Sequence, residues 1–130
     1  MGFKMQARAA TGMSGPDTFA QLRRARRLKL EQALRSMVRQ LRELGALKII
    51  LFGSLARGDM DVDSDIDLFV MMPSTRSGKE WLRIVNDRLD RKAAADVIVF
   101  NREEFNRESG TNCLLGEIAS SGRTLYEKAA

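Results

Sequence analysis

No histidine occurs anywhere in the 130 residues, and that absence removes more chemistry than any other feature of the composition. Imidazole-dependent triads, cysteine–histidine nucleophiles and histidine zinc sites all go with it. Any catalysis must therefore rest on carboxylates. Cys113 is the one cysteine, so no intrachain disulfide forms, in keeping with a reducing compartment. Long apolar runs are missing too: stretches such as Leu47 to Phe52 and Ile66 to Met72 fall far short of the roughly 20 residues that span a bilayer. Residues Met1 to Gly15 carry Lys4 and Arg8, no acid, and neither the continuous apolar segment nor the cleavage site of a secretory signal. Gln6 stands where a myristoylation motif requires Ser or Thr. The expectation is a cytoplasmic protein without membrane attachment. Residues 1–15 are read as a flexible extension, with Met5 and Met13 as alternative starts, and 16–130 as a single domain.

Acid is scarce in the first part of the chain. The formal charge is +5, from 22 basic and 17 acidic side chains, but up to Lys48 the count is 11 basic to 3 acidic, and from Ile49 onward 11 to 14. The excess is concentrated in Arg23, Arg24, Arg26, Arg27 and Lys29. Such a cluster suits either a solvated helix face or a surface for an acidic partner or RNA, and direct nucleic-acid binding is left open. Apolar residues at 44% and charged residues at 30% are ordinary for a globular domain able to bury one core.

The apolar positions Leu30, Leu34, Met37, Leu41 and Leu44 recur at steps of four and three and predict a long amphipathic helix over Asp17 to Leu44. Ser14 and Pro16 supply start signals, and Gly45 a stop. Lys48 to Phe52 reads as a buried strand ended by Gly53-Ser54, with a turn or short helix after it. Asp59 to Ser64 is a polar turn. Ile66, Leu68 and Val70 then alternate with Asp65, Asp67 and Phe69, which predicts a strand whose aliphatic face meets the core. Pro73 to Gly78 reads as a loop, Glu80 to Leu89 as a second helix, and Ala94 to Phe100 as a third strand. Leu114, Leu115 and Ile118 mark a short helix stopped by Gly122, and Thr124-Leu125-Tyr126 a last short strand.

On a strand, residues two apart share a face, so Asp65 and Asp67 project together about 6.5–7 Å apart. Two such carboxylates repel each other and raise their pKa values unless a cation lies between them. Oxygen ligands without sulfur or imidazole suit Mg²⁺ or Mn²⁺. Asp96 is the candidate third acid, because it opens the next strand and adjacent strands share a sheet edge. At Gly53 a residue without a side chain lets backbone N–H groups approach phosphate oxygens, Ser54 adds a hydroxyl donor, and Arg57 a charged one. Taken singly these signals are weak, since an isolated Asp-x-Asp is common on surface turns. A calcium loop fits poorly: counted from Asp59, Asp61 or Asp63, the sixth position is Ser64, Ile66 or Leu68, never Gly. Walker A and dinucleotide fingerprints are absent from the sequence.

The combination is specific. Gly53-Ser54, ten residues, then Asp65-Ile66-Asp67 resembles the signature of the polymerase-β-like nucleotidyltransferase superfamily. The longer string Gly53-Ser54-Leu55-Ala56-Arg57-Gly58 with Ser64-Asp65-Ile66-Asp67-Leu68, and Asp96-Val97-Ile98-Val99 downstream, is similar to its minimal nucleotidyltransferase branch. The similarity runs roughly from Leu44 to Glu127. It implies an α/β (α+β) fold, a small mixed sheet flanked by helices with the long helix N-terminal. It also implies that Asp65, Asp67 and Asp96 hold two Mg²⁺ ions, with Mn²⁺ as an alternative, and that Gly53 and Ser54 bind the triphosphate of ATP. Members of this branch are often antitoxins that attach AMP to a tyrosine of a small helical HEPN-family toxin, and the resemblance implies the same partner here. A small-molecule acceptor such as an aminoglycoside, and a non-catalytic antitoxin acting by binding alone, are the competing expectations. Oligomeric state, homo- or hetero-, stays open.

Overall fold

A computed structural model describes residues 16–58 and 65–129; the expected extension 1–15 and the expected turn Asp59 to Ser64 lie outside the described residues. In chain order the elements are α1 (Pro16–Leu44), β1 (Lys48–Phe52), α2 (Gly53–Ala56), β2 (Ile66–Met72), α3 (Gly78–Arg88), β3 (Ala95–Asn101), α4 (Arg102–Glu108), α5 (Cys113–Ser121) and β4 (Arg123–Glu127). The strands form one sheet in the order β3-β2-β1-β4. β1 runs antiparallel to both β2 and β4, whereas β2 and β3 are parallel. No helix among the described residues is long and apolar enough to cross a membrane.

α1 forms because its interior is built from good helix formers, chiefly Ala, Leu, Arg and Gln, with few β-branched residues. Its stripe Leu30, Leu34, Met37 and Leu41 is buried, joined by Ala33. At its end the Ala46 N–H donates to Leu41 O and the Gly45 N–H to Arg42 O, both at 3.0 Å, and Gly45 takes φ 112°. This is the left-handed cap for which glycine is suited. The chain then turns directly into β1.

The sheet has two apolar faces, which corrects the one-sided reading of β2. Ile66, Leu68, Val70 and Met72 pack against α1 and against Trp81 and Val85 of α3. Phe69, expected on the face of Asp65 and Asp67, is also buried, with Met71, in a second cluster with Ile50, Leu115 and Ile118. The cause lies in the segment after β3, where the sequence reading placed no element before Leu114. α4 occupies it and, with the expected helix α5, covers this face; Phe69 sits 5.8 Å from Phe100 and 5.6 Å from Phe105 between ring centroids. Only one end of the Asp67 face is left uncovered by these apolar contacts.

Two capping boxes position the connections. Ser77 caps α3 with Glu80, and Asn101 caps α4 with Glu104. The Glu104 carboxylate also accepts the Gly78 N–H at 3.1 Å, so it joins the starts of both helices. Asn101 accepts the Glu104 N–H at 2.7 Å and donates from Nδ2 to Arg76 O at 3.0 Å, while only 8% exposed. Removing its amide breaks both of these part-buried hydrogen bonds and the cap of α4. Asn101→Ala is expected to lower stability by about 1–3 kcal/mol in urea unfolding followed by far-UV circular dichroism; an unchanged midpoint would show that this junction carries no weight.

Candidate active site

Strand directions decide where the predicted residues meet. β1 ends where β2, β3 and β4 begin, so one end of the sheet gathers the last residue of β1 and the first residues of the other three. Asp67 lies opposite Phe52 across the antiparallel pair and in register with Asp96 across the parallel one. In-register neighbours in a sheet present side chains to the same face about 5 Å apart, so the two carboxyls are direct neighbours. Asp65 stands one residue before β2. The Ile66 N–H donates to Ala94 O at 3.0 Å, which fixes the entry to β2 against the entry to β3 and hence the acids against each other.

Gly53 closes the arrangement from the other side. It follows β1 directly, adopts φ 76°, and opens α2. A Cβ at this position would collide with Oδ2 of Asp67. Glycine is required twice over, for the left-handed backbone and for close approach to the carboxyl. Ser54 is the next residue of α2, half-buried beside the acids' end of the sheet. Arg57 follows α2 with its side chain exposed and its N–H donating to Gly53 O at 3.3 Å.

The electrostatics follow from this crowding. The Asp67 carboxyl is held above the ordinary aspartate range, first by burial and then by the negative charges of Asp96 and Asp65. All three predicted acids therefore lie within one field, which suits a hard divalent cation by the chemistry of the donors. They do not form a closed ligand shell: among the described residues no three acids, histidines or cysteines converge to hold a metal ion.

Arg123 was not singled out from the sequence as a site residue. As the first residue of β4 it pairs with Leu51, which puts a cation at the same sheet end, one strand beyond Gly53. An isolated arginine carries no local signal; only strand pairing reveals its place.

The sheet end thus brings Asp67 into register with Asp96 beside the Gly53-Ser54 turn. The chain belongs to the nucleotidyltransferase domain family, whose sequence profile matches residues 30–117, and such domains generally use divalent metal ions. No curated protein matches the chain in sequence. The fold is similar to that of a chain from Sulfolobus solfataricus described as a candidate nucleotidyltransferase, with a TM-score of 0.58 at 16% identity, covering 88% of this chain and 90% of that one. At this identity the likeness concerns the fold.

Two outcomes follow from the crowding at Asp67. Its folded-state pKa is above that of the unfolded chain, so ionising it costs stability as pH rises through the raised value, and the cost persists at neutral pH. Asp67→Asn is expected to raise Tm at pH 7 in divalent-free buffer, the gain shrinking as pH falls below the aspartate range; a lower Tm at pH 7 contradicts the assignment. Gly53→Ala should cost roughly 1–2 kcal/mol or more from the φ > 0 backbone and the collision with Asp67, read as a shift in the urea midpoint.

Proposed function

We propose that the chain transfers AMP from ATP to a hydroxyl of a protein acceptor, a tyrosine of a HEPN-family toxin, and so acts as an antitoxin of the minimal nucleotidyltransferase branch. The observation that carries the catalytic part is the register of Asp67 with Asp96 beside the Gly53-Ser54 turn. The acceptor assignment rests on the resemblance of the motif string, and the excess of arginine in α1 is consistent with a macromolecular partner.

In this reading Gly53 admits the triphosphate close to the main chain, Ser54 donates its hydroxyl to a phosphate oxygen, and Arg57 neutralises the same group. Asp65, Asp67 and Asp96 are the residues that would hold two Mg²⁺ ions, with Mn²⁺ as an alternative; when bound, these supply a lowered pKa for the attacking hydroxyl and charge neutralisation on the departing pyrophosphate. Asp96 lies on the outermost strand with its side chain exposed, so it is the carboxylate that meets the acceptor. It takes the hydroxyl proton as the acceptor oxygen bonds to the α-phosphorus and the bond to the β-phosphate oxygen breaks in line. Asp67, locked between Gly53 and Asp96, sets the geometry of the other two.

The test is transfer of label from α-³²P-ATP with Mg²⁺ to a co-purified partner protein, comparing wild type with Asp65→Asn/Asp67→Asn. Label on a partner tyrosine that falls at least roughly hundredfold in the variant is the expected result. Label that appears only in a small-molecule fraction would replace the protein acceptor. Absence of any transfer, with partner binding intact in both forms, would leave a binding role alone.

A further inference from the structure

The reaction occupies one end of the sheet, yet the hollows described in the surface run along α1. One of about 370 Å³ is bounded by Arg23, Arg24, Arg27 and Gly58. Arg27 and Gly58 also line the next, of about 190 Å³, where Leu55 and Arg123 join them. Arg123 continues into a third, of about 400 Å³, floored by Leu34, Val38 and Leu125 and rimmed by Arg35 and Arg39. Arg39 and Arg42 lead into a last one, of about 440 Å³, beside Tyr126. Since each shares lining residues with its neighbour, they form one groove between α1 and β4. Its upper end, at Gly58 and Arg123, adjoins the turn that packs on Asp67.

The chemistry of this groove is consistent along its length. Among the described residues every cation lining it is arginine, against two acids, Glu31 and Glu43. Among the described residues the ion pairs Lys48–Glu127 and Lys92–Asp90 lie elsewhere, and none joins a groove arginine to a carboxylate. The upper rim belongs to the part of α1 that leaves the core. There Phe19, Leu22 and Leu28 are 65%, 56% and 58% exposed, and this part lies ahead of residues 30–117, the span that matches the family.

We propose that the groove receives an extended acidic segment of the acceptor protein and delivers its hydroxyl-bearing residue to the acid edge. The proposal rests on the reading of the acceptor as a protein. Arg23 to Arg42 covers about 28 Å of helix at 1.5 Å per residue, matching about eight residues of extended peptide at roughly 3.3 Å each. Carboxylates suit the arginine rim because the guanidinium fork engages both oxygens, and apolar side chains of the same segment suit the aliphatic floor. A single-stranded nucleic acid fits less well. Surfaces for it stack bases on aromatic rings, whereas Tyr126 is already covered by the Arg42 guanidinium at 4.4 Å. Glu31, midway along, repels a continuous polyanion but tolerates a segment that alternates acidic and apolar residues.

Fluorescence anisotropy separates these cases without requiring turnover. The probes are labelled random copolymers of Glu, Ala and Tyr and of Lys, Ala and Tyr, and a short oligouridylate. The proteins are wild type, Arg35→Glu/Arg39→Glu, which leaves the acid edge untouched, and Glu31→Gln, with thermal melts confirming folding; Arg39→Gln substitutes if the double reversal fails to fold. The glutamate copolymer should bind wild type, lose roughly tenfold in affinity on charge reversal, and gain severalfold in Glu31→Gln, while the lysine copolymer does not bind. Tighter binding of oligouridylate than of the glutamate copolymer, lost in the same variant, would overturn the proposal in favour of a nucleic acid. Glutamate-copolymer binding that ignores the reversal would overturn it outright. Because binding is read apart from transfer, failure of nucleotidyl transfer leaves this outcome distinguishable.

Discussion

Burial of Asp67 beside the like charges of Asp96 and Asp65 is the constraint around which the rest of the structure is arranged. Asp67 is partly withdrawn from water and faces two like charges, so the folded protein carries an unfavourable term at neutral pH that a hydrophobic residue there would avoid. The backbone nonetheless enforces the crowding. Gly53 leaves no room between β1 and the Asp67 carboxyl, and the Ile66–Ala94 hydrogen bond prevents the entries to β2 and β3 from separating. Buried, like-charged carboxyls of this kind cluster at functional sites.

The scaffold holds this edge by covering the sheet on both sides. α1 and α3 seal the face of Ile66, Leu68 and Val70, and α4 and α5 seal the face of Phe69 and Met71. Asp67 shares its face with those buried side chains but precedes them, where cover gives out. The same topology that gathers the acids places Arg123 at the start of β4, at the same sheet end but paired with Leu51 of the α1 face.

Much of this was legible in the sequence because it depends on local periodicity or on a compact motif. The α1 stripe ended by Gly45, the apolar run Lys48 to Phe52, and the alternation around Asp65 and Asp67 each announce themselves within a few turns or residues, and the elements fall where they were expected. α4 escaped because Phe105 is its one large apolar residue and no stripe forms; the capping pattern Asn101-x-x-Glu104 was the available signal. The second apolar face of the sheet escaped because its cover, Leu115 and Ile118 of the expected helix α5 with Phe105 of α4, meets Ile50 and Phe69 through contacts between residues far apart in the chain. Pairing of Asp67 with Asp96, the position of Arg123 and the groove along α1 depend on contacts between residues far apart in the chain, which no local pattern encodes.

The central claim is that the crowded carboxylates are made for a divalent cation that acts with a bound nucleotide. Electron paramagnetic resonance of Mn²⁺, titrated against wild type and Asp67→Asn/Asp96→Asn with and without ATP, measures this most directly. The account predicts saturable Mn²⁺ binding by the wild type that tightens with ATP beyond what ATP alone retains, and loss of that increment in the variant. Equal Mn²⁺ binding by both proteins would contradict it, and would leave the acid row without the ion that its geometry is read to require.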